Sequence, residues 1–527
     1  MGAKLTRLFT RWLALIACTT WALPVHAGSV ELFRNAQLHP TDANQLIAPY
    51  IFGGGGLFVS SDGGKSFGLT CSTATSPDLR FEREISQIAV SAAGHIYIGL
   101  FNGLWRGGAD GCSFAQVPEL SGNIIGALAV DPTDPKRVYV GTSNGYTEDN
   151  MPRLNNLWLN DGSSNEFEPV SKEDLFWYSN LHVVKRGAGR RLYATGVRSK
   201  LVKDESGVTS SEAHYYVRVS DDDAKTWIDH EYDLAQYGPA HRTSEFSIVA
   251  VDPADPERII GVVARDALVD SVVYSTQQGE PGSWQLLSEV GDLQSAVFGP
   301  GGKLYFGDHD QSSRAFYVVD QLGEAPRKIS ESWKVGCLRW DAAHSRMLAC
   351  KDWQFGTVDL ESGAFSPLLD MRCAERFAEC PDQGSVRDAC TNQLLTSYCK
   401  SDHYPLAPLC ASYARAADWS SYVESFDYTC KDGFAVSKSS EGGAAGSAGV
   451  GGSAGTPSAG GMPQPAGAAT SSGCACSLGT RARPLESWAL WLVPLAALGA
   501  RRLKRRRLPQ PRSAATLGPE AALGRER

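Results

Sequence analysis

Between Gln37 and Cys350 one pattern recurs seven times: an apolar strand, a polar turn often of Asp-Pro type, then a second apolar strand ending in small residues. Ala127–Gly141 and Ile248–Gly261 are its clearest copies. Gln37–Pro49, Gln87–Gly99, Leu181–Gly196, Gln294–Gly307 and Cys337–Cys350 are weaker ones. Proline presets turn dihedrals and cannot sit inside a ladder, so each Asp-Pro marks where a strand must stop. The copies start roughly 40 to 67 residues apart, the period of a four-stranded blade with variable loops. A lone four-stranded sheet cannot bury both faces, whereas sheets stacked radially cover one another and leave few edges. The expected fold is therefore all-β, a seven-bladed β-propeller over residues 28–371. Which strand closes the ring is open, with Val30–Phe33 a candidate for completing the last blade.

A second pattern follows some of these hairpins. Ser60-Ser61-Asp62-Gly63-Gly64-Lys65-Ser66-Phe67 fits S-x-D-x-G-x-[ST]-[WF] throughout, and Ser220 to Trp227 fits with Ala224 in place of glycine. Ser275–Trp284 is an expanded copy; Ala109–Phe114 and Gly162–Phe167 are degenerate ones. The Ser and Asp side chains suit hydrogen bonds to the turn's own backbone, Gly permits positive φ, and the last aromatic buries between sheets. The region resembles the Asp-box (BNR) β-propellers, a group that includes sialidases, sortilin-type receptors and xyloglucanases. The resemblance implies structural roles for Ser60, Asp62, Gly64, Phe67, Ser220, Asp222 and Trp227 in hairpins between outer strands.

That group contains enzymes and binding proteins. A sialidase needs an arginine trio, a Tyr nucleophile with a Glu partner and an acid/base Asp. Arg80, Arg198, Tyr193 and Glu212 supply the types, but nothing in their spacing makes them converge, and the Arg-Ile-Pro motif of that family is absent. Xyloglucanase-type hydrolysis requires a cleft between two propellers, and this chain has room for one. The expectation is a recognition, adhesion or scaffolding module with no assigned catalytic residue, cofactor or metal; the alternative is a secreted, sialidase-like glycoside hydrolase. Long polar insertions at Ser143–Asn156 and Arg198–His214 are candidates for the ligand face. Phe176-Trp177-Tyr178 reads as core, and Asp308-His309-Asp310 as a solvated loop. Gly451–Gly455 fits an esterase elbow only by composition, with no strand before it or helix after it.

The chain's ends speak of location. Lys4, Arg7 and Arg11, the apolar Trp12–Leu23 and the small-residue site Val25-His26-Ala27 make residues 1–27 a secretory signal. Leu15-Ile16-Ala17-Cys18 also fits a lipoprotein box, with few apolar residues between Arg11 and Cys18. Ten cysteines remain between signal and tail, an even number that favours disulfides in an exported chain. Cys337 and Cys350 bracket one hairpin, and Cys71 and Cys112 sit beside consecutive turns, so each pair is a candidate bridge. Cys373, Cys380, Cys390, Cys399, Cys410 and Cys430 punctuate a helically patterned segment, 372–432, whose pairing the spacing leaves open. Residues 433–473 form a Gly/Ala/Ser/Pro linker.

Residues 474–507 begin with Cys474-Ala475-Cys476, continue through an apolar stretch Trp488–Ala500 too short for a full span, and end in an Arg/Lys cluster. They resemble the MYXO-CTERM sorting domain. The resemblance implies a membrane sorting protease as partner, processing near Cys474 and Cys476, and display on the surface of a myxobacterial cell. The polar tail 508–527 departs from that pattern, and an ordinary membrane anchor with a cytoplasmic tail is the rival reading. Lys and Arg total 50 against 58 Asp and Glu, with much of the positive charge in the tail. The remainder is acidic, which argues against nucleic acid and leaves an envelope glycan or protein as the expected ligand.

Overall fold

The computed structural model describes residues 36–50, 56–71, 87–145, 153–171, 174–203, 209–232, 246–264, 269–309, 314–373, 428–431 and 434–437. The signal peptide, most of the 372–432 segment, the linker beyond residue 437, Cys474, Cys476 and the apolar stretch lie outside the described residues. Among those described, no helix is long and apolar enough to cross a membrane.

Seven four-stranded antiparallel sheets follow one another along the chain, spanning 37–71, 87–116, 125–169, 176–231, 246–290, 293–330 and 337–370. They are blades 1 to 7 of a β-propeller. In every blade the four strands are consecutive in sequence and paired in that order. Each of the seven sequence repeats is the inner hairpin of one blade, as in Ile125–Val130 with Val138–Thr142 and Phe246–Val251 with Ile259–Ala264.

Among the described residues no strand is exchanged to close the ring. Blades 7 and 1 meet through side chains: Phe67 packs edge-on against Phe355 at 6.1 Å, Arg346 donates to the Gly63 carbonyl at 3.1 Å, and Arg339 donates to the Ala36 carbonyl at 3.2 Å. The candidate closing segment Val30–Phe33 lies outside the described residues.

Strand alternation sends successive side chains to opposite neighbours. In the third strand of blade 4, Val217 and Val219 join Phe246, Ile259 and Trp284 of blade 5, while Tyr216 packs with Tyr139 and Leu157 of blade 3. The small residues ending the second strands have a steric cause. In blades 3 to 6 the inner strand carries a one-residue bulge at this level, and the second strand presents Gly141, Gly196, Gly261 or Gly307 there. A Cβ on these glycines would lie 2.6 Å from Tyr178, 2.7 Å from the Phe176 ring, 2.4 Å from the Phe246 ring and 2.1 Å from Val335. In blade 7 the corresponding place is held by Cys350, which is bonded to its cross-strand partner Cys337 (S–S 2.01 Å).

The outer turns repeat one hydrogen-bond scheme. Ser60, Ser220 and Ser275 each accept, at Oγ, the amide four residues on: Gly64 at 2.9 Å, Ala224 at 2.9 Å and Gly279 at 3.1 Å. Asp62 and Asp222 accept the amides of Ser66 and Thr226 at 3.0 and 2.9 Å and the hydroxyls of Ser60 and Ser220 at 2.8 and 2.9 Å. Burial alone would raise the Asp62 pKa; the bonds from Ser66 and Ser60 outweigh it and hold the carboxyl at about 2. Gly64 and Ala224 both have positive φ, 91° and 66°, so alanine is strained where glycine is not. Phe67 and Trp284 then bury between blades, while Trp227, part-buried, lies under the Arg218 guanidinium. Asp222→Ala should lower stability by about 1–2 kcal/mol in denaturant unfolding, from the loss of bonds to a charged acceptor.

Two elements refine the cysteine reading. Cys373, closing the short turn Met371–Cys373, is bonded to Cys430 (S–S 2.03 Å). Cys112 is also disulfide-bonded, whereas the side chain of Cys71 and all of Cys380, Cys390, Cys399 and Cys410 lie outside the described residues. Cys430 stands on a hairpin, Tyr428–Lys431 with Phe434–Ser437, which spans the expected segment-to-linker boundary at 432 and 433. The two intervening residues are Asp432-Gly433, a strong hairpin dipeptide, flanked by Tyr, Thr, Phe and Val.

Candidate functional site

Blade 4 departs from its neighbours. Its second and third strands, Gly189–Lys203 and Thr209–Ser220, run 15 and 12 residues, against four to six in the other blades. Its first strand stops opposite Arg198 and its fourth opposite Tyr216. Among the described residues the five pairs from Ser199↔Ala213 to Lys203↔Thr209 therefore have no third strand on either side and form a two-stranded ribbon. In blade 3 the stem of the 143–156 insertion is tied by the Arg153 backbone amide donating to the Gly145 carbonyl at 2.9 Å. Asn155 and Asp174 exchange backbone bonds of 2.8 and 3.1 Å. The insertions singled out from sequence, Ser143–Asn156 and Arg198–His214, thus spring from one rim of adjacent blades.

Under the ribbon lies a closed set of charges. Arg198 meets Asp229 at 2.8 Å and Asp174 at 3.4 Å; Arg218 meets Asp229 at 2.8 Å and Asp174 at 3.0 Å. The guanidinium of Arg218 lies 4.6 Å over the Phe176 ring and 5.1 Å over Trp227, and that of Arg198 5.0 Å over Tyr216. Burial pushes the Tyr178 hydroxyl, 3.4 Å from Arg218, up to about 12. Two cations and two carboxylates neutralise one another, so this base positions the ribbon and offers no unpaired acid for proton transfer.

The opposite face carries a second ionic belt. Arg190 of blade 4 bonds Asp131 of blade 3 at 2.8 Å. Arg191, fully buried, bonds Asp221 at 2.7 and 2.8 Å and Glu257 of blade 5 at 2.7 Å. Tyr193 donates to the Pro256 carbonyl in the same seam, and burial pushes its pKa up to about 12. It stands five residues from Arg198 on one strand, hence on the other sheet face. The sialidase-type grouping of Tyr193 with Arg198 is therefore not assembled; the side chains of Arg80 and Glu212 lie outside the described residues.

The inner strands surround a central channel. Asn180 and His182 of blade 4 both donate to the Ile248 carbonyl of blade 5, at 2.8 and 2.9 Å, beside the bulge at Val249. Burial drives the His182 pKa down to about 4, the Ile248 bond opposing and the Arg339 charge adding to the fall. Unfolded histidine titrates near 6.5, so unfolding takes up a proton between the two values. Stability should fall as pH drops from about 6.5 to about 4 and then level. His182→Gln should flatten that slope in unfolding measured across the range. Sequence reasoning did not single out His182 or Arg339.

Asp308 and His309, read as a solvated loop, are buried instead. The Asp308 carboxylate accepts the amides of Gly291 and Asp292 at 3.0 and 3.2 Å, which stitches blade 6 at its entry. Among the described residues no three His, Cys, Asp or Glu side chains are grouped to hold a metal.

Strand pairing and ring closure define a single seven-bladed propeller with an extended blade 4. No family model matches the sequence, and no curated protein matches it. Among solved structures it is similar to the GH74 xyloglucanase from Xanthomonas campestris, with 12% identity over 64% of this chain and 54% of that one and a TM-score of 0.43. It is similar to an ancestral GH74 enzyme at 15% identity over 65% and 47%, TM-score 0.42. YCF48 from Cyanidioschyzon merolae gives 8% over 62% and 95%, TM-score 0.41. The chain spans about half the length of the two GH74 structures. Its blades are established by its own strand register, not by these likenesses.

Proposed function

We propose that this protein is a surface-displayed recognition, adhesion or scaffolding propeller of Asp-box type, whose ligand face is the rim of blades 3 and 4. The observation that carries this reading is the ribbon of Ser199–Lys203 and Thr209–Ala213, raised above a base of mutually neutralised charges. A ribbon with no flanking strand among the described residues offers backbone donors and acceptors to a partner, the basis of strand addition. The repeated Ser-to-amide scheme at Ser60, Ser220 and Ser275 supports the Asp-box assignment. The bonds Cys337–Cys350 and Cys373–Cys430 support an oxidising, extracytoplasmic location. The export signal, the MYXO-CTERM-like tail with Cys474 and Cys476 and its sorting protease complete the proposal on sequence grounds.

The test joins binding to turnover. The purified ectodomain is incubated with sialosides and envelope polysaccharides, beside a variant in which 199–213 is replaced by a short turn. Saturable binding without products, lost in the shortened variant while the fold persists, is the expected result. Released sugar would establish the hydrolase instead, and recovery of the tagged full chain in the cytosol would overturn surface display.

A further inference from the structure

We propose that the central channel is an anion site: Arg339 receives the carboxylate or phosphate group of a small ligand through its two Nη nitrogens. Arg339 lies on the inner strand Cys337–Asp341 of blade 7; its side chain is exposed, and its charge acts on His182 of blade 4 across the ring, which places it at the channel. Its Nε donates to the Ala36 carbonyl at 3.2 Å, which fixes the stem. The Nη nitrogens, four N–H donors in all, meet no acceptor among the described residues. Arg191, Arg218, Arg258 and Arg346 differ, each held by a carboxylate within 3 Å.

Although its side chain keeps contact with solvent, desolvation by the surrounding ring lowers the Arg339 pKa with no carboxylate opposing it, while its charge reaches His182 of blade 4. Asn180 and His182 are committed to the Ile248 carbonyl and bring no negative charge. A planar fork of parallel N–H groups matches a carboxylate or phosphate edge. Protein walls around it strengthen that attraction relative to open water. The chain as a whole carries a net charge of −8, so this cation is a local exception in an acidic molecule. The inference rests on the recognition reading in one respect: the ligand is held and not converted.

Acetate, citrate and inorganic phosphate are titrated at millimolar concentration into the purified protein, with binding followed by calorimetry and the His182 ring by NMR. The expected result is saturable binding at one site, with the His182 pKa rising as the anion screens Arg339. Saturation by phosphate alone assigns a phosphate-bearing ligand; saturation by the carboxylates assigns an acid. Arg339→Gln should weaken binding by about tenfold or more and abolish the His182 response, whereas Arg327→Gln, exposed on blade 6, should change neither. Should the glutamine variant fail to fold, Arg339→Lys keeps the charge without the fork, and weakened but saturable binding is expected. Absence of saturable binding for all three anions, or unchanged affinity in the folded Arg339 variant, overturns the site. Loss of channel binding with ribbon binding intact, or the reverse, separates this inference from the reading above.

Discussion

Asp221→Asn together with Glu257→Gln should cost about 3–5 kcal/mol of stability, the magnitude for stripping a buried charge of its partners. The Arg191 side chain is 1% exposed, while Asp221 and Glu257 are 39% and 33% exposed. The burden of desolvation therefore falls on the guanidinium, which has no route to water once its acceptors lose their charge. Either single substitution leaves one carboxylate in place and should cost clearly less. Adding Arg191→Met to the double variant removes the stranded charge and should recover most of the loss. Denaturant midpoints for the parent and the four variants decide the matter: a double variant within about 1 kcal/mol of the parent means the seam between blades 4 and 5 does not depend on this triad.

Gly126→Ala should destabilise by about 3 kcal/mol, the upper range for forcing atoms into a packed core. Gly126 is the bulged residue of the inner strand of blade 3, and a Cβ there would lie 1.9 Å from the Tyr178 carbonyl of blade 4. The obstacle is backbone, so no rotamer change relieves it; the two blades must move apart. Gly145→Ala is the control, with nothing within 4 Å of the added methyl, and should fall within about 0.5 kcal/mol of the parent. Thermal unfolding of the pair separates close approach from a general effect of replacing glycine in blade 3.

The blades were legible because their determinants are local. Alternating apolar residues and an Asp-Pro stop occur within fifteen residues in Ala127–Gly141, and the structure turns all seven such segments into inner hairpins. The glycine ending Gly141, Gly196, Gly261 and Gly307 was visible as a small residue, but its cause belongs to side chains packed over it and to a bulge that no local pattern encodes. The ribbon was visible only as a polar insertion, because the sequence of Ser199–Lys203 and Thr209–Ala213 carries no sustained apolar alternation. Tyr428–Ser437 was assigned to a helical segment and a linker because cysteine spacing and Gly/Ala/Ser content outweighed a short strand pattern. Asp308 looked like a loop residue, since amides from a preceding turn satisfy it. His182 and Arg339 sit three blades apart, and only ring closure brings them to one channel.

That closure has a consequence for how such a molecule varies. In its described strands every blade comes from one uninterrupted stretch of chain, so duplicating or deleting a single stretch alters the circumference without orphaning any of those strands. A ring whose first and last strands are interwoven lacks that freedom. The adjustable joint here is the contact of Phe67, Gly63 and Ala36 with Phe355, Arg346 and Arg339, where a new cassette would have to make only a handful of side-chain fits.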